Sequence, residues 1–143
     1  MIPDSALSPD AALLALRPAV AIQLFDESGA TGDFMHRTLR PVLKLQNELL
    51  LTLVADFLLE HHVAFLSRAP AEQQRTVAEL LARNVKLRYT VIGCIIGLFT
   101  GSERAFYQQH RSEVNRRVLE LAIQRVQSQL PLLTGHLASQ GRA

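Results

Sequence analysis

The sequence predicts an all-α protein, a small bundle of three long helices with an N-terminal arm or short helix, completed by dimerisation. Three observations carry this. Leu, Ala, Gln, Arg and Glu dominate, whereas there are only six Phe, two Tyr and no Trp. That balance favours helices, because strands draw on β-branched and aromatic residues. From Val42 to Leu66 there is neither Gly nor Pro, and Lys44, Glu48, Thr52, Asp56 and Glu60 recur every four residues. They form one polar stripe on an otherwise apolar helix. Finally, Thr100 followed three residues later by Glu103 has the pattern of a capping box.

Three units are expected: an acidic arm over residues 1–33, a helical bundle over 34–131 and a C-terminal tail over 132–143. In the arm, Ser8 and Pro9 read as a cap and a first-turn proline, opening a short helix to about Leu16 that Pro18 then stops. Val20–Phe25 is a turn of helix or an unpaired extended piece, and Asp26–Gly32 is a turn-rich linker. The first long helix is expected over about 34–67, capped by Asp33 or starting at Pro41. Its apolar residues, Leu49, Leu53 and Phe57 among them, cover most of its circumference, so it needs neighbours on most sides. Pro70 breaks the chain and opens a second helix over about 71–99. The capping box then starts a third, over about 102–130, which Pro131 ends. The remaining residues read as a fraying tail.

The totals bound the function. At 143 residues, 48% hydrophobic and 20% charged, the chain has the composition of one globular domain. Residues 1–33 carry one Arg against five carboxylates, a net −4, and residues 34–143 carry 14 Lys and Arg against 8 Asp and Glu, a net +6. An acidic arm lying on a basic body follows, and the body could also draw an acidic protein partner. Cys94 is the single cysteine, which leaves no intrachain disulfide and suits a reducing cytoplasm.

The stretch Tyr89–Ser102 (YTVIGCIIGLFTGS) is the longest without a charge, and Gly93, Gly97 and Gly101 recur in it every four residues. It is shorter than the roughly 20 residues that cross a bilayer as a helix. Residues four apart share a helix face, and glycines there let another backbone come close. Gly101 falls at the capping box and reads as punctuation. Gly93 and Gly97, with Thr90 on the same face, are therefore the expected close contact, either within the chain or between subunits. Leu49, Leu53 and Phe57 on the first helix are the other expected contact or interface residues.

Other chemistry finds little support. His61–His62 and His110-x-x-Glu113 lack the matched carboxylate and histidine partners of a metal site, so no metal or cofactor is expected. Phosphate loops, nucleophile elbows and Cys-x-x-Cys pairs are absent from the sequence, and Cys94 sits in apolar surroundings unsuited to a thiolate. Thr76–Val91 resembles a helix-turn-helix with Asn84 at the turn. However, Leu80 falls where a small residue is needed, and the second helix would continue as IGCIIGLF, which suits no polar groove. A continuous helix without nucleic-acid binding is the expectation. The function that follows is a non-enzymatic protein acting through protein–protein interaction, as a homodimer. The alternatives are a binding module for a small apolar ligand and a nucleic-acid-binding regulator.

Overall fold

The computed structural model of the chain describes residues 8–20 and 29–140, and every regular element among them is helical. The helices are α1 (Asp10–Leu16), α2 (Ala30–Phe34), α3 (Arg40–Leu45), α4 (Asn47–Glu60), α5 (Pro70–Arg83), α6 (Val85–Ile96), α7 (Gly101–Gln109), α8 (Arg111–Gln127) and α9 (Leu130–Gln140). A π-helical turn, Met35–Leu39, joins α2 to α3. The expectation for Val20–Phe25 lies outside the described residues beyond Val20, as does that for Asp26–Ser28.

The three expected long helices each prove to be two. In the first, the chain is already helical at Ala30, capped by Gly29 at φ 107°. Asp33 does not cap Phe34. It pairs with Arg37 at 2.8 Å. Pro41 has no N–H to offer, and in an α-helix its ring would crowd the carbonyl four residues back. The wider π turn ending at Leu39 is how the chain carries the helix past that proline. A single residue, Gln46 (φ −92°, ψ 16°), then bends α3 into α4. The polar stripe is where the sequence puts it: Lys44, Glu48, Asp56 and Glu60 are exposed, while Leu50, Leu51, Val54, Ala55 and Leu58 are buried.

Helix α4 closes with a six-residue carbonyl clasp. Val63 N–H donates to the Leu58 carbonyl at 2.9 Å and His62 N–H to that of Leu59 at 3.1 Å. The geometry requires a left-handed residue, and His62 supplies it at φ 53°. Glycine normally stands there, because a side chain in that region costs about 1 kcal/mol. His62→Gly is therefore expected to raise the melting temperature by about 2–4 °C; an unchanged or lower value in a thermal melt would contradict the strain.

The second expected helix stops at Asn84, in the extended region at φ −78° and ψ 112°, whose side chain caps α6 by accepting from Leu87 N–H at 2.9 Å. The third starts where the capping box predicts. Glu103 N–H donates to Thr100 Oγ1 at 3.4 Å, and Thr100 N–H to Glu103 Oε1 at 2.8 Å. It bends at His110 into α8, and α8 ends at Gln127. That is four residues before Pro131, whose ring would clash with the Gln127 carbonyl in a continuing helix. Pro131 then sits in the first turn of α9.

The expected fraying tail is thus a helix, with Leu133 and Leu137 buried against the rest of the chain. It packs along α4, and α8 lies against α5, α6 and α4. Val114, Val118, Ala122 and Val126 on α8 are fully buried at intervals of four. Their small or β-branched side chains form a narrow ridge that lets neighbouring helices close in around α8. α4 and α8 are the two central helices of one continuous core.

Candidate functional site: the charge-free face of α6

Helix α6 turns Leu87, Val91, Ile92 and Ile95 into the core. The side left to solvent carries Lys86, Tyr89, Thr90, Gly93 and Gly97, all exposed. A methyl group built on Gly93 would meet no atom within 4 Å, and one on Gly97 would come 3.2 Å from the Gly93 carbonyl oxygen of the same chain. The expected close contact at Gly93 is therefore not made inside the chain. After Lys86 this face has no charge, whereas an exposed helix face ordinarily carries several. Gly93 here also forgoes roughly 1 kcal/mol of helix propensity relative to alanine, while Gly97 caps the end of the helix. Thr90 Oγ1 turns back to donate to the Lys86 carbonyl at 2.8 Å, so its outward surface is largely its methyl group.

The three residues expected from the first helix are divided by the structure. α4 lies beside α6, and Gln46, at the bend before α4, donates its side-chain amide to the Cys94 carbonyl at 3.2 Å. Leu49, three residues on, is exposed. Leu53 is partly buried against the core. Phe57 belongs to the chain's own interior, buried and stacked on His61 at 4.0 Å between ring centres. Phe57 is thus a core residue in this fold. Tyr89 and Val85 add exposed apolar surface at the start of α6, 61% exposed in each case.

The lower end of the same stretch is clamped by the arm. Arg17, following α1, forks onto Glu103, with Nη1 to Oε2 and Nη2 to Oε1 both at 2.6 Å, and also donates to the Leu98 carbonyl at 3.0 Å. Thr38 Oγ1 donates to Glu103 Oε2 at 2.8 Å, and Asp10 accepts from Gly101 N–H at the start of α7 at 3.1 Å. Both partners of the ion pair are nearly buried. Burial pushes the Glu103 carboxyl up, but the Arg17 fork, the Thr100 amide and the Thr38 hydroxyl outweigh it and hold the group at about 2. The arm is acidic and the body basic, yet the joint is formed by the arm's arginine and a glutamate of the body. Only the Thr100–Glu103 half of this cluster was visible in the sequence, since Arg17 and Thr38 arrive by tertiary folding.

Chemistry of other kinds is not assembled at this site. Cys94 is a free, half-buried thiol. Among the described residues no three His, Cys, Asp or Glu side chains converge to hold a metal, and no helix is long and apolar enough to cross a membrane. His61 and His62 are exposed, and His61 Nδ1 lies 3.0 Å from the Phe57 carbonyl. The chain matches no protein-family model, no curated protein and no solved structure at a significant level.

Proposed function

We propose that this is a non-enzymatic interaction protein that works as a homodimer through the exposed face of α6, in a regulatory or scaffolding role in a reducing cytoplasm. The observation that supports this reading is the open, charge-free surface at Thr90, Gly93 and Gly97. A helix can tolerate glycines there without gain, but a second backbone can approach closely only where such side chains are missing. A second copy of the same chain fits best. The face is neutral around Gly93, so a twofold axis placed there brings no like charges together. Lys86, seven residues away, stands about 10 Å along the helix from that point. The exposed Leu49 and Tyr89 supply apolar surface to such a contact.

Gly93→Leu separates the subunit contact from the fold. The space at Gly93 is open, so the monomer is expected to fold and to gain about 1 kcal/mol from helix propensity. The dimer is expected to be lost through overpacking at the contact. Light scattering across micromolar concentrations, beside a urea titration of the dilute protein, reads both. A wild-type chain that is monomeric throughout, or a variant that stays dimeric, would remove the reading. Gly97→Leu is less clean, because its first carbon already crowds the Gly93 carbonyl within the chain.

A further inference from the structure

A second feature stands apart from the α6 face. Between α3 and α8 opens a cavity of about 260 Å³ to which Arg40 and Arg125 both contribute. Leu43 and Leu121 form its apolar wall, Gln124 and Gln129 lie at its polar side, and among the described residues no carboxylate lines it. Among the described residues neither arginine has an ion-pair partner. The Arg40 Nε–H is buried and donates to nothing. Two half-buried guanidinium groups facing one space without a carboxylate beside them among the described residues is a costly arrangement. Burial and the neighbouring Arg40 charge pull the Arg125 group below its usual range, which reports the same repulsion.

The arrangement is also held in place. Asn47 and Gln129 exchange amide hydrogen bonds in both directions at 2.7 Å. Gln129 donates a further bond to the Arg125 carbonyl at 2.8 Å, and Arg125 Nη1 lies 3.4 Å from Asn47 Oδ1. Polar side chains from α4, α8 and the turn before α9 thus fix one arginine across from the other. Side-chain hydrogen bonds that position a cation are what a preorganised anion site needs.

We propose that the Arg40–Arg125 cavity binds the phosphoryl group of a small organic phosphate. Two fixed positive charges suit a doubly charged oxyanion, and guanidinium forks match its tetrahedral oxygens in pairs. The volume admits a phosphate with a small carbon fragment lying on Leu43 and Leu121, and is too small for a large cofactor. The terminal N–H groups of Arg40 and Arg125 and the Gln124 amide are the donors for its oxygens. The site uses residues absent from the α6 face, so it stands or falls independently of dimerisation.

The test is a thermal melt and calorimetric titration of the full chain with phenyl phosphate, inorganic phosphate and succinate, against sodium chloride of equal ionic strength. Phenyl phosphate is expected to raise the melting temperature saturably, by about 2–5 °C at high occupancy, and to bind more tightly than inorganic phosphate. Arg40→Gln and Arg125→Gln are each expected to abolish the shift while leaving the ligand-free protein at least as stable, since each removes one of two like charges. Arg40→Lys, which keeps the charge and loses the fork, is expected to weaken binding about tenfold. No saturable response in the wild type, or an equal response in the glutamine variants, would overturn the site. A succinate response as strong as that to phenyl phosphate would overturn its assignment to phosphoryl groups.

Discussion

Glu103→Ala is expected to cost about 3–4 kcal/mol of stability. The substitution takes the N3 partner from the capping box of α7 and leaves the Arg17 guanidinium nearly buried without a counter-charge, the costliest way to break such a pair. Arg17→Met should cost less, about 2 kcal/mol, because Thr38 and the Thr100 amide still serve the carboxylate. In urea titrations the double variant should lose less than the two singles together, as expected of groups in direct contact. Acid sensitivity follows from the same cluster. The folded carboxyl titrates near 2 and the free one near 4.5, so its contribution is complete above about pH 4.5 and is lost as pH falls toward 2. The shift alone corresponds to about 3 kcal/mol, reduced to about 1–2 kcal/mol by partial solvent screening. Glu103→Gln should therefore flatten the stability profile between pH 4.5 and 2. An acid limb identical to that of the wild type would show that the clamp carries no titrating load.

The second large effect lies at the other end of the chain. Leu133→Ala is expected to lose about 3 kcal/mol, the ordinary result of emptying a fully buried leucine site. A chain ended at Gln129 should lose its cooperative transition altogether, since it also gives up Leu130 and Leu137 and uncovers one side of α4. A truncated chain that melts cooperatively at the wild-type temperature would mean that α9 is the loose tail its sequence suggests.

Features governed by neighbours in the chain were legible. The Thr100–Glu103 box, the polar stripe of α4 and the helix start at Pro70 are written in adjacent residues, and each stands where the pattern places it, whereas α4 ends at Glu60, seven residues before the expected end near 67. Breaks caused by packing were not. His110 has no breaker residue near it; there Phe106 stacks on Phe34 with ring centres 4.5 Å apart, and the Tyr107 hydroxyl donates to Asn115 at 2.8 Å. Asn84 was a visible turn residue, but the apolar pattern runs through it on both sides and suggested one helix. Pro131 signals both an end and a beginning, and Gly135 lowers the helical signal beyond it, so α9 was hidden in apparent tail composition.

The candidate sites divide along the same line. The spacing of Gly93 and Gly97 is local and readable, whereas the side of α6 that faces water is decided by which of Leu87, Val91 and Ile95 the core takes up. Arg40 and Arg125 are far apart in sequence and gain meaning only when α3 meets α8. Among the described residues the arm is joined to the body by a buried fork between Arg17 and Glu103 and by Asp10 at the Gly101 N–H, contacts that the overall charge asymmetry of the chain does not specify.

The central claim, that α6 meets its own copy at Gly93, is tested most directly by cross-linking. Gly93→Cys would be placed in a Cys94→Ala background, with Glu79→Cys at an exposed position of α5 as the control. A disulfide needs Cα atoms about 4.4–6.8 Å apart, a distance reached only if the two backbones pack across the glycines. Rapid, near-complete formation of a covalent dimer at position 93 under mild oxidation, with little at position 79, is the expected result. Equal and slow cross-linking at both positions would contradict it.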